Sequence, residues 1–287
     1  MTDNFTNAYS AFVPQVWSAK LISTLQKSCV MLQCVNRNYE GDIQNAGDTV
    51  NIIVPGDVSV KTFTGDALTY SELAPTNMQL VIDQRKLFAF KINDVALAQT
   101  NTDIMEAHME NATKAIEAAQ DAFLLTKQLD VPAENIIGAA TAVQLKADNI
   151  YSQFVTLAKL LKKANAVSNG QKPWVVINPD IEAILLQSSQ FTSGYQLADE
   201  TLREGSIGRI AGMDVLVSTN LVAADGKIAV LAGTNDAITF ASQVAKIESI
   251  RDTQTFSDLV RGLYLYGAKT VVPHALAKLV VDATALA

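Results

Sequence analysis

Hydrophobic and polar residues recur along this chain with two different periods, and the changes of period mark its elements. From Val95 to Leu129 the period is near 3.6, with no proline or glycine to interrupt it. Asp103, Glu106, Glu110, Lys114, Glu117 and Asp121 fall three or four apart and form one stripe; Ile104, Ala112, Ile116, Ala119 and Phe123 form another. The pattern predicts one long helix, half in solvent and half on a core. At about 1.5 Å per residue it would span roughly 50 Å, with Glu110 and Lys114 placed to pair across one turn. It lacks a sustained apolar heptad, so a coiled coil is a poor account of it. Val131 and Pro132 end it.

Ahead of this helix the chain changes character twice. Residues 1–15 are polar and then aromatic and read as an arm without a core of its own; Phe5, Tyr9 and Phe12, with Trp17 just beyond, offer area that only another surface can bury. Trp17 to Cys34 reads as helix, with Pro14 before its first turn. From Gly47 to Ile92 the period drops to 2: Val50, Ile52 and Val54, then Met78, Leu80 and Ile82, then Phe88, Phe90 and Ile92. This predicts a long hairpin around Gly65-Asp66 and Pro75. Its tip carries Val58, Val60, Phe63, Leu68, Tyr70 and Leu73 among threonines and charges, too dispersed to form a core, so these six are expected to lie on a neighbour.

Behind the long helix, Ala139 to Ile150 reads as a short helix and loop, and Tyr151 to Val167 as a second amphipathic helix ending at Asn169-Gly170. Phe154, Leu157, Leu161 and Ala164 line one side of it, and Lys159, Lys162 and Lys163 crowd the other. Trp174 to Ile177 predicts a short buried strand. Asn178, Pro179 and Glu182 predict the capped start of a third helix. Helix, strand and helix over 151–188 indicate a compact α/β unit. Residues 189–207 read as loop. A glycine turn leads into a strand at Val215 to Val217, Gly226 opens a hairpin toward Ile228 to Leu231, and Ala237 to Ile250 mixes strand and short-helix signals. Phe256 to Lys269 alternates with apolar residues toward both sides, which predicts a strand covered on both faces. Leu276 to Val281 closes the chain. No period of 20 to 50 residues repeats.

Composition narrows the classes. The 287 residues are 49% hydrophobic, too apolar for a disordered chain, yet only 18% charged. Low charge fits large contact areas, because charge is depleted from interface cores. A formal net charge of −7 argues against a dedicated DNA reader. No run of about 18 apolar residues offers a membrane span, and no basic-then-apolar segment opens the chain.

The chemistry-bearing residues make no motif. Cys29 and Cys34 lie outside any CxxC pair and read as reduced, inert thiols of a cytosolic product. His108 and His274 stand at no ligand spacing, so no metal is expected. The run Gly205, Gly208, Gly212 lacks the Lys-Ser or Lys-Thr of a nucleotide loop and the spacing of a dinucleotide fingerprint. No serine sits in a nucleophile elbow, and no two carboxylates are set in an apolar stretch. The expectation is therefore no catalytic, cofactor-binding or metal residue.

The order of these features resembles a known family. The segment from Gly208 to Ser218 (GRIAGMDVLVS) is similar to the glycine-containing hairpin of tailed-bacteriophage major capsid proteins, and Thr255 to Leu276 (TFSDLVRGLYLYGAKTVVPHAL) is similar to their closing strand pair. The resemblance runs over essentially the whole chain in order. It implies an α+β shell fold of the Hong Kong 97 type: 1–46 as N-terminal arm and first helix, 47–85 as extended β-hairpin loop, 86–149 as peripheral domain with the spine helix, 150–250 as α/β axial domain, and 251–287 as return strands completing the peripheral domain. It further implies hexamers and pentamers closing an icosahedral shell around double-stranded DNA held without sequence-specific binding, a portal, and a decoration protein in some relatives. The place would be the virion, assembled in the bacterial cytoplasm. The arm begins within a few residues of Met1, so a separate scaffolding protein is expected rather than a cleaved leading segment. Lys61 lies in the loop, but no asparagine context favours a crosslink to it. An encapsulin-like shell around protein cargo shares the fold, and an unrelated soluble enzyme or binding domain is the third class; particle contents and particle size separate the three.

Overall fold

The computed structural model describes residues 29–39, 49–54, 76–93, 104–167, 171–188, 208–221, 225–252 and 254–283. In chain order its regular elements begin with strands β1 (Thr49–Val54), β2 (Thr76–Val81) and β3 (Gln84–Asn93) and helix α1 (Ile104–Leu125). There follow β4 (Ile136–Ile137), α2 (Ile150–Lys163), β5 (Trp174–Ile177), α3 (Pro179–Gln187), β6 (Arg209–Ile210) and β7 (Met213–Val217). The last four are β8 (Lys227–Gly233), β9 (Ile238–Arg251), β10 (Ser257–Thr270) and β11 (Leu276–Asp282). The fold is α+β, and the described residues form three sheets: β1-β2, β3-β10-β9, and β4-β11-β8-β5-β7-β6.

The six-stranded sheet holds the main core. β5 is buried along its whole length, as a strand covered on both faces must be; α3 joins it to its parallel neighbour β7. The cap of α3 forms as its sequence predicts: the Asn178 side chain accepts from the Ile181 amide at 3.0 Å, with Pro179 at the first helical position. Helix α2 buries Ile150, Phe154, Leu157, Ala158 and Leu161, residues spaced to share one face. It stops at Asn165 rather than at Asn169-Gly170. Asn165 adopts φ 55°, its amide donates to Lys162, and the Ala166 amide donates to Leu161; these are the two closing bonds of a Schellman stop. Between β6 and β7, Ala211 and Gly212 both have positive φ (50° and 86°) with Ile210 facing Met213, the two-residue turn that suits strand twist.

Four expectations are corrected. Residues 139–149 contain no helix; Val143 instead bridges to Val281. Gly226 opens no local hairpin, because β8 pairs with β5 and β11, both distant in sequence. The mixed signals of Ala237 to Ile250 resolve into the single strand β9, which Thr239 extends by bridging to Asn36. The helix expected to run to Cys34 does not reach it: Met31–Gln33 is a 3-10 turn. Of the long helix expected over Val95 to Leu129, 104–125 is α-helical and Thr126–Asp130 tightens to 3-10, while 95–103 lies outside the described residues.

β1 and β2 pair antiparallel from Thr49 with Val81 to Val54 with Thr76. Their base rests on a second, small core of Ile52, Leu80, Ile82, Ala241 and Leu265. β10 is the strand that joins the parts: it pairs with β9 along its length and with β3 from Ser257 to Tyr266. Farther on, Tyr266 and Ala268 enter the main core beside Phe240. At Gly267 the strand crosses the hairpin base so closely that a Cβ would lie 2.2 Å from the Val81 carbonyl oxygen. At Gly262 a Cβ would lie 2.3 Å from the Phe88 ring, a side-chain atom and not backbone. Gly267→Ala should therefore cost about 1–3 kcal/mol as an overpacking change, and Gly262→Ala less, because the half-buried Phe88 can swing aside. Thermal unfolding of the two variants gives the order; equal losses would contradict it.

Candidate assembly interface

The ten residues expected at contacts, Phe5, Tyr9, Phe12, Trp17, Val58, Val60, Phe63, Leu68, Tyr70 and Leu73, all lie outside the described residues. The structure instead describes residues 29–39, the base of the hairpin, and the faces of the three-stranded sheet.

The arm's end is held by one carboxylate. Asp121 was expected in the solvent stripe of α1, but it is fully buried. One of its oxygens accepts from the amides of Val30 (3.0 Å) and Met31 (2.8 Å) and from the Cys29 thiol (3.6 Å). The other accepts from the Ser218 hydroxyl (3.0 Å) and the Asn220 side-chain amide (2.6 Å). The two backbone amides are those left free at the start of the 3-10 turn Met31–Gln33, so Asp121 caps that turn from another part of the chain. Three segments meet at this side chain: the arm's end, α1, and the turn after β7. The neighbouring thiols are made inert by the same burial. Desolvation, opposed by a hydrogen bond from the backbone at Leu32 and reinforced by the Asp121 charge, pushes Cys29 up to about 12; desolvation raises Cys34 too.

Burial along α1 is uneven. Ile116, Gln120, Asp121, Leu124 and Leu125 are buried, whereas no residue from 108 to 115 is. The expected Glu110–Lys114 pair forms, with both side chains well exposed, and such a pair contributes little. His108 lies against Phe90, ring centroids 5.6 Å apart.

The sheet β3-β10-β9 has two unlike faces. Register and alternation put Phe88, Phe90, Ile92, Val260 and Gly262 on the side toward α1, and Ile92 and Val260 are buried there. The other side is open. Leu87 faces Leu263 directly and Leu259 faces Ile250; Leu87 is 74% exposed, Ile250 42% and Leu263 36%. Arg261 lies between these pairs and donates to Glu248 at 2.8 and 2.6 Å. Strand β10 was expected to be covered on both faces. That holds from Leu265 to Ala268 and fails from Leu259 to Leu263, so among the described residues nothing fully covers the apolar residues of this half of the strand. Sequence reasoning missed this face because the same alternation predicts a covered strand whether the cover is the chain itself or a neighbour.

No arrangement suited to catalysis emerges among the described residues. No three His, Cys, Asp or Glu side chains gather as a metal site. His274 pairs with Glu134 at 3.0 Å on the surface, and the glycine turn at 211–212 is a plain hairpin turn. A shallow hollow lined by Val155, Ala158, Lys159, Lys162, Lys163 and Ala211 is the local positive patch that α2 was expected to carry. No described helix is long and apolar enough to cross a membrane.

No family model and no curated protein matches this chain. Solved structures do. A chain of Mycobacterium phage Che8 is 27% identical, with 95% of this chain and 98% of that one covered and a TM-score of 0.76. A chain in the capsid structure of the Cyanophage P-SCSP1u is 16% identical (98% and 96% covered, TM-score 0.75), and one in the capsid of Ralstonia phage GP4 is 12% identical (94% and 96%, 0.72). Matches end to end over nearly the whole of both partners leave no large region of this chain to carry another fold. The chain has the fold of these phage capsid chains, the shell fold that the sequence resemblance implied.

The Asp121 joint gives a direct test. Asp121→Ala leaves at least two buried donors unmatched at about 1–3 kcal/mol each, so stability in urea should fall by at least about 2–3 kcal/mol and proteases should cut near Val30. Asp121→Asn keeps the volume but turns an N–H toward donors, and should fall between. A wild-type urea midpoint for Asp121→Ala would refute the role given to the joint.

Proposed function

We propose that this chain forms the hexamers and pentamers of an icosahedral shell that encloses double-stranded phage DNA. Its parts follow the shell plan: 1–46 is the arm, 47–85 the extended loop, 86–149 the peripheral domain with α1 as spine, 150–250 the axial domain, and 251–287 the return strands. The observation that carries this reading is the open apolar face of β3-β10-β9 in a chain of this fold. A monomer rarely leaves such a stripe in water, and an assembly covers it. The loop beyond Val54 and before Thr76 supplies Val58, Val60, Phe63, Leu68, Tyr70 and Leu73, apolar residues that a lone two-stranded hairpin cannot hold, being marginal by itself. We assign this loop to the open face or the spine of the adjacent subunit. Phe5, Tyr9, Phe12 and Trp17 of the arm pack on another subunit or under the spine, and Asp121 fixes the point from which the arm leaves.

Replacing residues 60–74 by a short Gly-Ser turn should leave a folded subunit by circular dichroism that forms no stable closed shells by electron microscopy. Intact shells of normal stability from that variant would defeat the assignment. Particles filled with protein in place of packed duplex would point to a cargo compartment.

The chain's net charge of −7 implies that DNA enters by a motor and portal and not by attraction to the coat, with a separate scaffolding protein setting the size before packaging. Isolated subunits should bind duplex DNA weakly and without sequence preference at physiological salt, the three lysines of α2 making one small patch. Tight binding that weakens steeply as salt rises, measured by fluorescence anisotropy, would contradict this.

A further inference from the structure

Where β5 and β7 begin and β8 ends, the six-stranded sheet carries a cleft of about 510 Å³, within the roughly 300–1,000 Å³ of small-ligand pockets. Its walls come from Cys34 beside the 3-10 turn, Lys172 and Trp174 at the start of β5, Asp214 and Leu216 of β7, and Asp236 beyond β8. Register places Trp174 between Asp214 on β7 and Gly233 on β8. Packing holds its indole in place: a Cβ at Gly233 would lie 3.2 Å from the ring on one side and 2.6 Å from Leu276 on the other. Trp174 is only 3% exposed, and its N–H has no acceptor among the described residues. A buried donor left without a partner is uncommon in a folded protein and calls for an explanation. The two carboxylates of the cleft are each half engaged. Asp214 accepts from Arg209 through one oxygen and Asp236 from Gln171 through one, and the second oxygen of each has no partner among the described residues.

We propose that this cleft binds an arginine residue of a polypeptide, its guanidinium donating to Asp214 and Asp236 and a main-chain carbonyl of the same segment accepting from the Trp174 N–H. The ligand class follows from the groups present. A bare cation offers nothing to the indole proton, and among the described residues no three His, Cys, Asp or Glu side chains gather to hold a metal. A phosphate would accept from the indole, but the free carboxylate oxygens are acceptors too and receive nothing from it. The occupant therefore carries an acceptor and several donors together, as a basic residue within a chain does. Arginine fits better than lysine. Its planar fork of five donors can serve oxygens that belong to two different elements, whereas an ammonium is a compact, strongly hydrated charge. The aliphatic stem has Leu216 and Cys34 to lie on. Arg209 and Lys172 balance the two aspartates in formal charge, so binding rests on directed hydrogen bonds more than on attraction at a distance, and it is weak for a single residue.

The cleft lies within one subunit, so its test does not depend on the shell reading. The probe is N-acetyl-L-arginine amide, titrated into the full-length subunit and followed by saturation-transfer NMR. A ligand of this size should bind with a dissociation constant of about 1 mM. Butylguanidine keeps the guanidinium and lacks the carbonyls; N-acetyl-norleucine amide keeps the carbonyls and lacks the charge. Each should bind several-fold more weakly than the probe. Asp236→Asn, at an exposed position, should weaken the probe by about tenfold with circular dichroism unchanged. Trp174→Phe should weaken the probe several-fold and leave butylguanidine unaffected, because the indole N–H meets only the carbonyl. No saturable binding of the probe, equal binding of all three compounds, or undiminished binding by Asp236→Asn would overturn the site. Assembled particles distinguish the sources of the arginine, and either result supports the site: loss of the probe signal when this chain assembles alone assigns the arginine to a neighbouring copy, and its retention assigns it to a different protein. Failure to form particles would bear on the shell reading and not on the cleft.

Discussion

A carboxylate withdrawn from water has to be met by donors, and Asp121 of α1 is met by groups from two other stretches: Val30 and Met31, and Ser218 and Asn220 of the turn after β7. Separations of 90 to 99 residues lie between the partners. None of these bonds is local, so the site is complete only when the six-stranded sheet, α1 and the arm's end have all arrived. Charge-assisted hydrogen bonds are the stronger kind, and an incomplete set inside a low-dielectric interior is worse than none. The joint thus makes three segments one cooperative unit and fixes the arm's exit in the same step. The other long-range polar contacts repeat this logic on a smaller scale. Asn135 donates to the carbonyls of His274 (3.0 Å) and Leu276 (2.9 Å), and Thr270 donates to Asp130 at 2.6 Å, so the segment after α1 is tied to the strands that close the chain.

From that fixed centre, burial declines outward. α1 is packed at its C-terminal half and has no buried residue from 108 to 115, and β10 runs from the main core to a sheet that is only partly covered. This gradient is the shape of a component and not of a finished object. The hydrophobic effect is proportional to area removed from water, whichever chain supplies the cover. On the shell reading, the area this subunit leaves open is area that neighbours would cover.

Much of the fold was legible from the sequence where a single segment decides its own state. The Asn178-Pro179 cap, the Trp174 to Ile177 strand, the apolar face of α2 and the glycine turn at 211–212 each follow from local chemistry. The misreadings came where partners are remote. β9 read as mixed because its neighbours, β10 and Asn36, supply the pattern that its own residues lack. Asp121 read as solvent-facing because helical spacing places it among charges, and nothing local announces donors some 90 residues away in either direction. Asn165 was passed over for Asn169-Gly170 because either can stop a helix, and the choice depends on the last apolar contact of α2. For the candidate interface, sequence indicated apolar residues without a home at 57–76, but not the bare face of β3-β10-β9, which alternation alone cannot tell from a covered one.

The two thiols of this chain bear on its durability in air. On the shell reading proposed above, a released particle would meet aerated medium, where exposed thiolates oxidise. It is the thiolate that reacts, and at Cys29 and Cys34 burial and the nearby Asp121 charge keep the proton on. Burial, reinforced by the charge that ties residues 29–31 to the body, would therefore let a coat of many copies age in air without its thiols becoming random crosslinks.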